Sequence, residues 1–209
     1  MEPPSCLATS GGSCLKSSFE AGTIYPDCSQ NATLYEGLRQ IDEELAAKVR
    51  SRGCGRCGGP LDKAEWQRKP RGYDIPDKAA VRMGLCCRRC RCRTLPPSAL
   101  FLGRKVYLGA VVLISIVVRQ RHVGGSSAAE LKRLFGVSRE TLRRWLSFFR
   151  LELPASPPWK VLRGRLSAAV RDDTLPDSFL AELERTRDPG IPAVTACLRL
   201  LATAALQAS

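Results

Sequence analysis

Two cysteine pairs constrain this chain more than anything else in it. Cys54-Gly-Arg-Cys57 and Cys87-Arg-Arg-Cys90 enclose 29 residues in the pattern C-x2-C-x29-C-x2-C. Each pair sets two thiolates on one tight turn, and two such turns supply the tetrahedral donor set that structural zinc takes. Gly58 and Gly59 follow the first pair, where the turn needs a permissive backbone. Four thiolates around one divalent ion leave a doubly negative site, and Arg56, Arg88, Arg89 and Arg91 lie close enough in sequence to compensate it. Cys86 and Cys92 flank the second pair and are alternative ligands, because spacings of about two to four residues are tolerated. A closed four-cysteine set has no open coordination position, which argues for one structural zinc ion and against catalysis. Dithiol redox chemistry is the rival, weakened because neither pair lies between a strand and a helix.

The residues around the pairs explain why a metal is needed. Residues 51–97 are poor in aliphatic side chains and rich in Gly, Pro, Cys and Arg, so they cannot close a hydrophobic core alone. This segment is expected to be a small β zinc ribbon. Ten cysteines in 209 residues would also suit a secreted disulfide scaffold. The first thirty residues, however, lack the apolar core of a signal peptide, so a reducing cytoplasmic setting is expected. Residues 1–30, Ser-, Gly- and Pro-rich with Cys6, Cys14 and Cys28 irregularly spaced, are expected to be disordered. The single histidine, His122, is far from both pairs and expected at the surface. The longest apolar run, Leu108 to Val118, falls short of the roughly 18 to 20 residues that span a bilayer, so it predicts a buried helix and no membrane partner.

Hydrophobic period divides the rest. Leu34, Leu38, Ile41, Leu45 and Val49 form one apolar stripe, predicting an amphipathic helix over 31–50 with a capping box at Thr33-Leu-Tyr-Glu36. It is either a brace for the ribbon or a partner or homodimer helix. Residues 98–153 predict three helices: the apolar run, Ser127 to Phe135, and Ser138 to about Phe149. Ser127 caps the second with Glu130 closing its box, Gly136 supplies the left-handed residue that ends it, Val137 plugs the interhelical angle and Ser138 caps the third. Leu142, Trp145, Leu146 and Phe149 share one side of that third helix and pack inward on Leu131 and Leu134. Glu140, Arg143, Arg144 and Ser147 then point outward, with Arg139 at the helix start, where a recognition helix meets base edges in the major groove. Beyond Pro154-Ala-Ser-Pro-Pro158, residues 154–209 read as a proline-containing linker and a weakly defined helical tail, with short helices near 178–185 and 192–206. The expected fold class is mainly α, with the β zinc ribbon and a trihelical helix-turn-helix domain.

Charge points to the partner. The chain carries +13, but residues 48–150 hold 24 basic and 6 acidic side chains, so the centre is +18 and the remainder is net acidic. A field of that sign favours a polyanion through counterion release, with solubility as the bland alternative. Double-stranded DNA is the expected partner, met by Arg139, Glu140, Arg143, Arg144 and Ser147 on the helix and by Arg88, Arg89 and Arg91 on the ribbon.

Cys54-x2-Cys57-Gly-Gly and Cys87-x2-Cys90-Arg-x-Arg, followed by Thr94-Leu-Pro-Pro-Ser98 and a helix-turn-helix, resemble the N-terminal half of zinc-ribbon insertion-sequence transposases. Residues 33–185 also resemble small bacterial proteins of mobile elements. The resemblance implies recognition of element ends or a promoter in the nucleoid. It also implies Cys54, Cys57, Cys87 and Cys90 as zinc ligands, and a separately encoded transposase or integrase as partner. Two departures qualify it. Lys132 stands where such motifs place a small residue, and the stretch after Arg150 is too short for an RNase H-like catalytic domain. Asp172, Asp173, Asp177, Glu182 and Glu184 crowd into one segment and read as helix caps and surface charge, so no catalytic residue is assigned and no enzyme is expected. The rivals are a truncated transposase remnant and an RNA- or protein-binding ribbon adaptor.

Overall fold

Capping places the first helix. A computed structural model of the chain describes residues 31–70, 77–102, 107–121, 131–133, 136–187 and 189–207, and α1 runs over Ala32–Arg52. The Asn31 side-chain oxygen accepts from the Thr33 amide at 2.9 Å and the Leu34 amide at 3.3 Å. The cap expected at Thr33 therefore sits two residues earlier, because an extended Asn satisfies the first free amides directly. Leu34, Leu38, Ile41 and Leu45 are buried and Val49 packs beside them, as the stripe predicts.

Among the described residues five short strands follow: β1 (Leu61–Lys63), β2 (Trp66–Gln67), β3 (Val81–Arg82), β4 (Leu85–Cys87) and β5 (Arg93–Thr94). An antiparallel sheet has the order β1-β4-β5, with Leu61 opposite Cys87 and with Asp62, Cys86 and Arg93 in one row. β2 and β3 pair separately. Ladders this short are not self-supporting. The only buried apolar cluster within the ribbon, among the described residues, joins Cys54, Leu61, Leu85 and Cys87. Gly84 is obligatory between β3 and β4: a Cβ there would lie 2.2 Å from Trp66 Cζ3 and 2.6 Å from the Ala64 carbonyl oxygen.

The helices build the main core. α2 (Gly109–Arg121) is buried at every position from Gly109 to Val118, as an all-apolar helix must be. α3 (Arg139–Ser147) runs on through a wider π-type turn at Phe148–Glu152 into the short α4 (Leu153–Ala155). Pro154 gives the reason, since it has no amide hydrogen and its ring crowds the carbonyl four residues back. The Leu153 amide instead reaches the Phe148 carbonyl, five residues back. α5 (Pro157–Arg163), α6 (Asp177–Thr186) and α7 (Ile191–Gln207) follow.

The segment expected as linker and tail supplies Trp159, Phe179, Val194, Cys197 and Leu198 to the same cluster that holds α1 and α2. α7 packs along both α1 and α5, and the Arg199 guanidinium meets Glu44 of α1 at 2.9 Å. The fold is mainly helical with a small antiparallel sheet. Of the expected middle helix, residues 131–133 are helical. Ser127, Glu130, Leu134 and Phe135 lie outside the described residues, as do residues 1–30 and His122, so the expected trihelical unit is not established. No helix among the described residues is long and apolar enough to cross a membrane.

Candidate metal centre and nucleic-acid interface

The two knuckles repeat one hydrogen-bond pattern. In the first, the Gly58 amide donates to the Cys54 carbonyl and the Cys54 amide to the Gly59 carbonyl. In the second, the Arg91 amide donates to the Cys87 carbonyl and the Cys87 amide to the Cys92 carbonyl. The residue after the second cysteine is left-handed in both, Gly58 at φ 66° and Arg91 at φ 60°. Arginine tolerates that backbone poorly, which is why the second turn is harder to recognise in sequence. The repeat also sorts the flanking thiols: Cys92 stands at the Gly59 position and Cys86 precedes the turn, so neither takes a ligand's place.

The sulfurs converge accordingly. All four Sγ atoms of Cys54, Cys57, Cys87 and Cys90 lie within 4.8 Å of one another, with Cys54 to Cys90 at 3.6 Å and Cys57 to Cys87 at 3.5 Å. A disulfide needs about 2.05 Å, whereas a tetrahedron of thiolates with metal–sulfur bonds of about 2.3 Å has edges of roughly 3.8 Å. The donor set therefore could hold one metal ion. Backbone amides prepare it: the Arg56 amide, with that of Cys57, holds the Cys54 thiol below its ordinary value. The Cys90 amide is foremost in holding Cys87 at about 6 against desolvation. Cys90 is pushed up to about 12, because desolvation and the three neighbouring thiols outweigh the Cys92 amide that pulls it down. Sulfurs this close share protons until a cation lets all of them ionise.

Compared with protein-family models, with curated proteins and with solved structures, the chain matches none.

The helix expected to meet DNA is placed by local chemistry. Gly136 at φ 61° returns its amide to the Lys132 carbonyl at 2.9 Å. Val137 is fully buried, and Ser138 Oγ caps α3 by accepting from the Thr141 amide at 3.2 Å. Leu142, Trp145 and Phe149 are buried with Leu131, and Leu146 is half-buried. Tyr107 meets Trp145 edge to face at 4.9 Å. Arg139, Glu140, Arg143, Arg144 and Ser147 are all exposed. Arg143 lies 3.4 Å from Glu140, and Arg144 donates to Thr141 Oγ1 at 3.4 Å. Lys132, at the position where a small residue was expected, is exposed, so its bulk meets solvent.

On the ribbon, Arg88, Arg89 and Arg91 are exposed. Arg89 lies across Gly59, whose Cβ would fall 2.7 Å from Arg89 Cδ. Arg88 grips Asp62 with both arms, Nε to Oδ2 at 3.1 Å and Nη2 to Oδ1 at 2.9 Å. Sequence reasoning passed over Asp62, which has no periodic or motif signal. It also passed over Asp42, a buried carboxylate on the apolar side of α1 that accepts from Ser98 Oγ and from the Ala99 amide at 2.7 Å. Buried Arg82 lies nearby and donates to the Met83 and Pro96 carbonyls. This polar joint fixes where the ribbon's exit strand meets the helices.

Proposed function

We propose that this protein binds double-stranded DNA, with one zinc ion held by Cys54, Cys57, Cys87 and Cys90 and with α3 lying in the major groove. The observation that carries the reading is the face of α3. Three arginines and two further polar residues stand clear of the core on a nine-residue helix. The left-handed Gly136, the Ser138 cap and the buried ring of Trp145 fix its start and its rotation.

Arg139 is nearest the helix start and meets base edges, where a guanidinium fork matches the paired acceptors of guanine. Arg143 and Arg144, one turn on, divide between bases and phosphates. Zinc supplies the ribbon with the cohesion that its single small apolar cluster lacks, and the ribbon's arginines add backbone contacts. In biological terms the chain serves as the recognition subunit or regulator of a mobile element, leaving strand chemistry to a separately encoded transposase or integrase.

Selection of bound duplexes from a random pool, followed by fluorescence anisotropy on the enriched site, tests this. Arg143→Ala is expected to weaken that site by about 1 to 3 kcal/mol if it reads a base, and all sequences alike if it holds phosphate. A zinc-loaded protein that ignores duplex at low salt overturns the reading.

A further inference from the structure

On one face of the ribbon sheet a carboxylate, Asp62, is held by the chain's own arginine. Asp62, Cys86 and Arg93 form one row across the three strands. They lie on the side away from buried Leu61 and Cys87, because neighbouring residues of a strand alternate faces. Two guanidinium groups stand near Asp62. Arg88 holds both carboxylate oxygens. Arg50 reaches from α1 to the Leu61 carbonyl at 3.0 Å, one residue away. The Arg88 hydrogen bond is the main cause that keeps the Asp62 carboxyl below its ordinary value, with added pull from Arg50 and Arg91. The Arg88 and Asp62 side chains are 69% and 44% exposed, so water screens the pair and it contributes little to stability. A bidentate guanidinium takes phosphate as readily as carboxylate, since both present two oxygens at matching spacing.

We propose that Arg88, with Arg50 beside it, forms a phosphate-binding site for the DNA backbone, and that Asp62 occupies it as an internal stand-in that the phosphodiester must displace. This rests on the DNA-binding reading and deepens it. α3 chooses the site, while Asp62 restrains the ribbon's non-specific grip, so that affinity for random duplex stays low. The carboxylate leaves as a free, hydrated anion and no covalent bond changes.

A double-mutant cycle by anisotropy on a labelled random duplex, across a salt series, tests the proposal. Asp62→Asn is isosteric, and zinc content and circular dichroism check that it folds. Removing its charge is expected to tighten binding roughly five-fold and to steepen the slope of log K against log salt by about 0.9, one phosphate's worth. In the Arg88→Ala background the gain is expected to vanish. Glu65→Gln, which removes another ribbon carboxylate outside this cluster, is expected to gain less. An Asp62→Asn protein that binds like wild type overturns the stand-in and leaves the DNA reading intact. A gain that persists without Arg88 shows that Asp62 acts only through the general field and likewise overturns it. Failure of every variant to bind duplex removes both ideas together.

Discussion

Asp42 is a carboxylate in an apolar place, and its neighbours explain why it is tolerated. Its Oδ1 accepts from the Ala99 and Leu100 amides and its Oδ2 from Ser98 Oγ, so three donors that would otherwise be orphaned are satisfied. Asp42→Ala is expected to cost about 3 kcal/mol, because it strands those donors away from water. Asp42→Asn, which keeps an acceptor for the amides, is expected to cost far less; urea melts of the zinc-loaded protein measure both. Burial lifts the carboxyl above its ordinary 3.8 in spite of hydrogen bonds that pull it down. The folded state then holds this proton to higher pH than the unfolded chain does. The group's contribution is therefore full below 3.8 and fades as pH rises through the folded value. Relative to Asp42→Asn, wild type is expected to lose stability across that window, and an unchanged difference at each pH contradicts the assignment. None of this was legible in sequence, where Asp42 sits beside Ile41 like any solvated helix residue.

Elements whose causes are local were readable, and those held by distant parts were not. α3 is the clear case: Gly136 and Ser138 each act within four residues through a hydrogen bond, and Val137 between them is buried. Ser138→Ala is expected to lower stability by about 1 kcal/mol through the lost cap. A thermal melt reads this, and no shift argues that the cap is redundant. The apolar stripe of α1 was legible too, although its cap was placed two residues late, because Asn31 satisfies the first amides. The ribbon strands were not, being two or three residues long with their pairing set by the knuckles rather than by β propensity. The Pro154 π-type turn was also missed, since proline reads as a stop whereas here it widens the helix and lets it continue.

At the scale of the whole molecule, most buried apolar residues among those described fall into a large helical cluster and a small ribbon cluster, with Val49 packed against both. The division predicts separable stability. Cys57→Ser is expected to release the metal and melt the ribbon while most of the far-ultraviolet helical signal persists. Metal analysis with circular dichroism checks it, and retention of one equivalent of zinc sinks the ligand assignment. The four-cysteine spacing made this cluster legible, because a shared metal ion would demand such a fixed pattern. The docking of α7 onto α1 and α5 was illegible, because Ala- and Leu-rich faces such as those of α7 carry no address for their partner. That docking has a consequence for synthesis. Glu44 and Arg199, which meet across α1 and α7, are 155 residues apart, whereas the sulfurs of Cys54 and Cys90 are only 36 apart. On the ribosome the metal knuckles close early, while the first helix waits with its greasy side uncovered until the last has emerged. The nascent chain is thus expected to expose that apolar face from the moment α1 leaves the ribosome until α7 follows, and arrest before Ile191 is expected to leave it exposed.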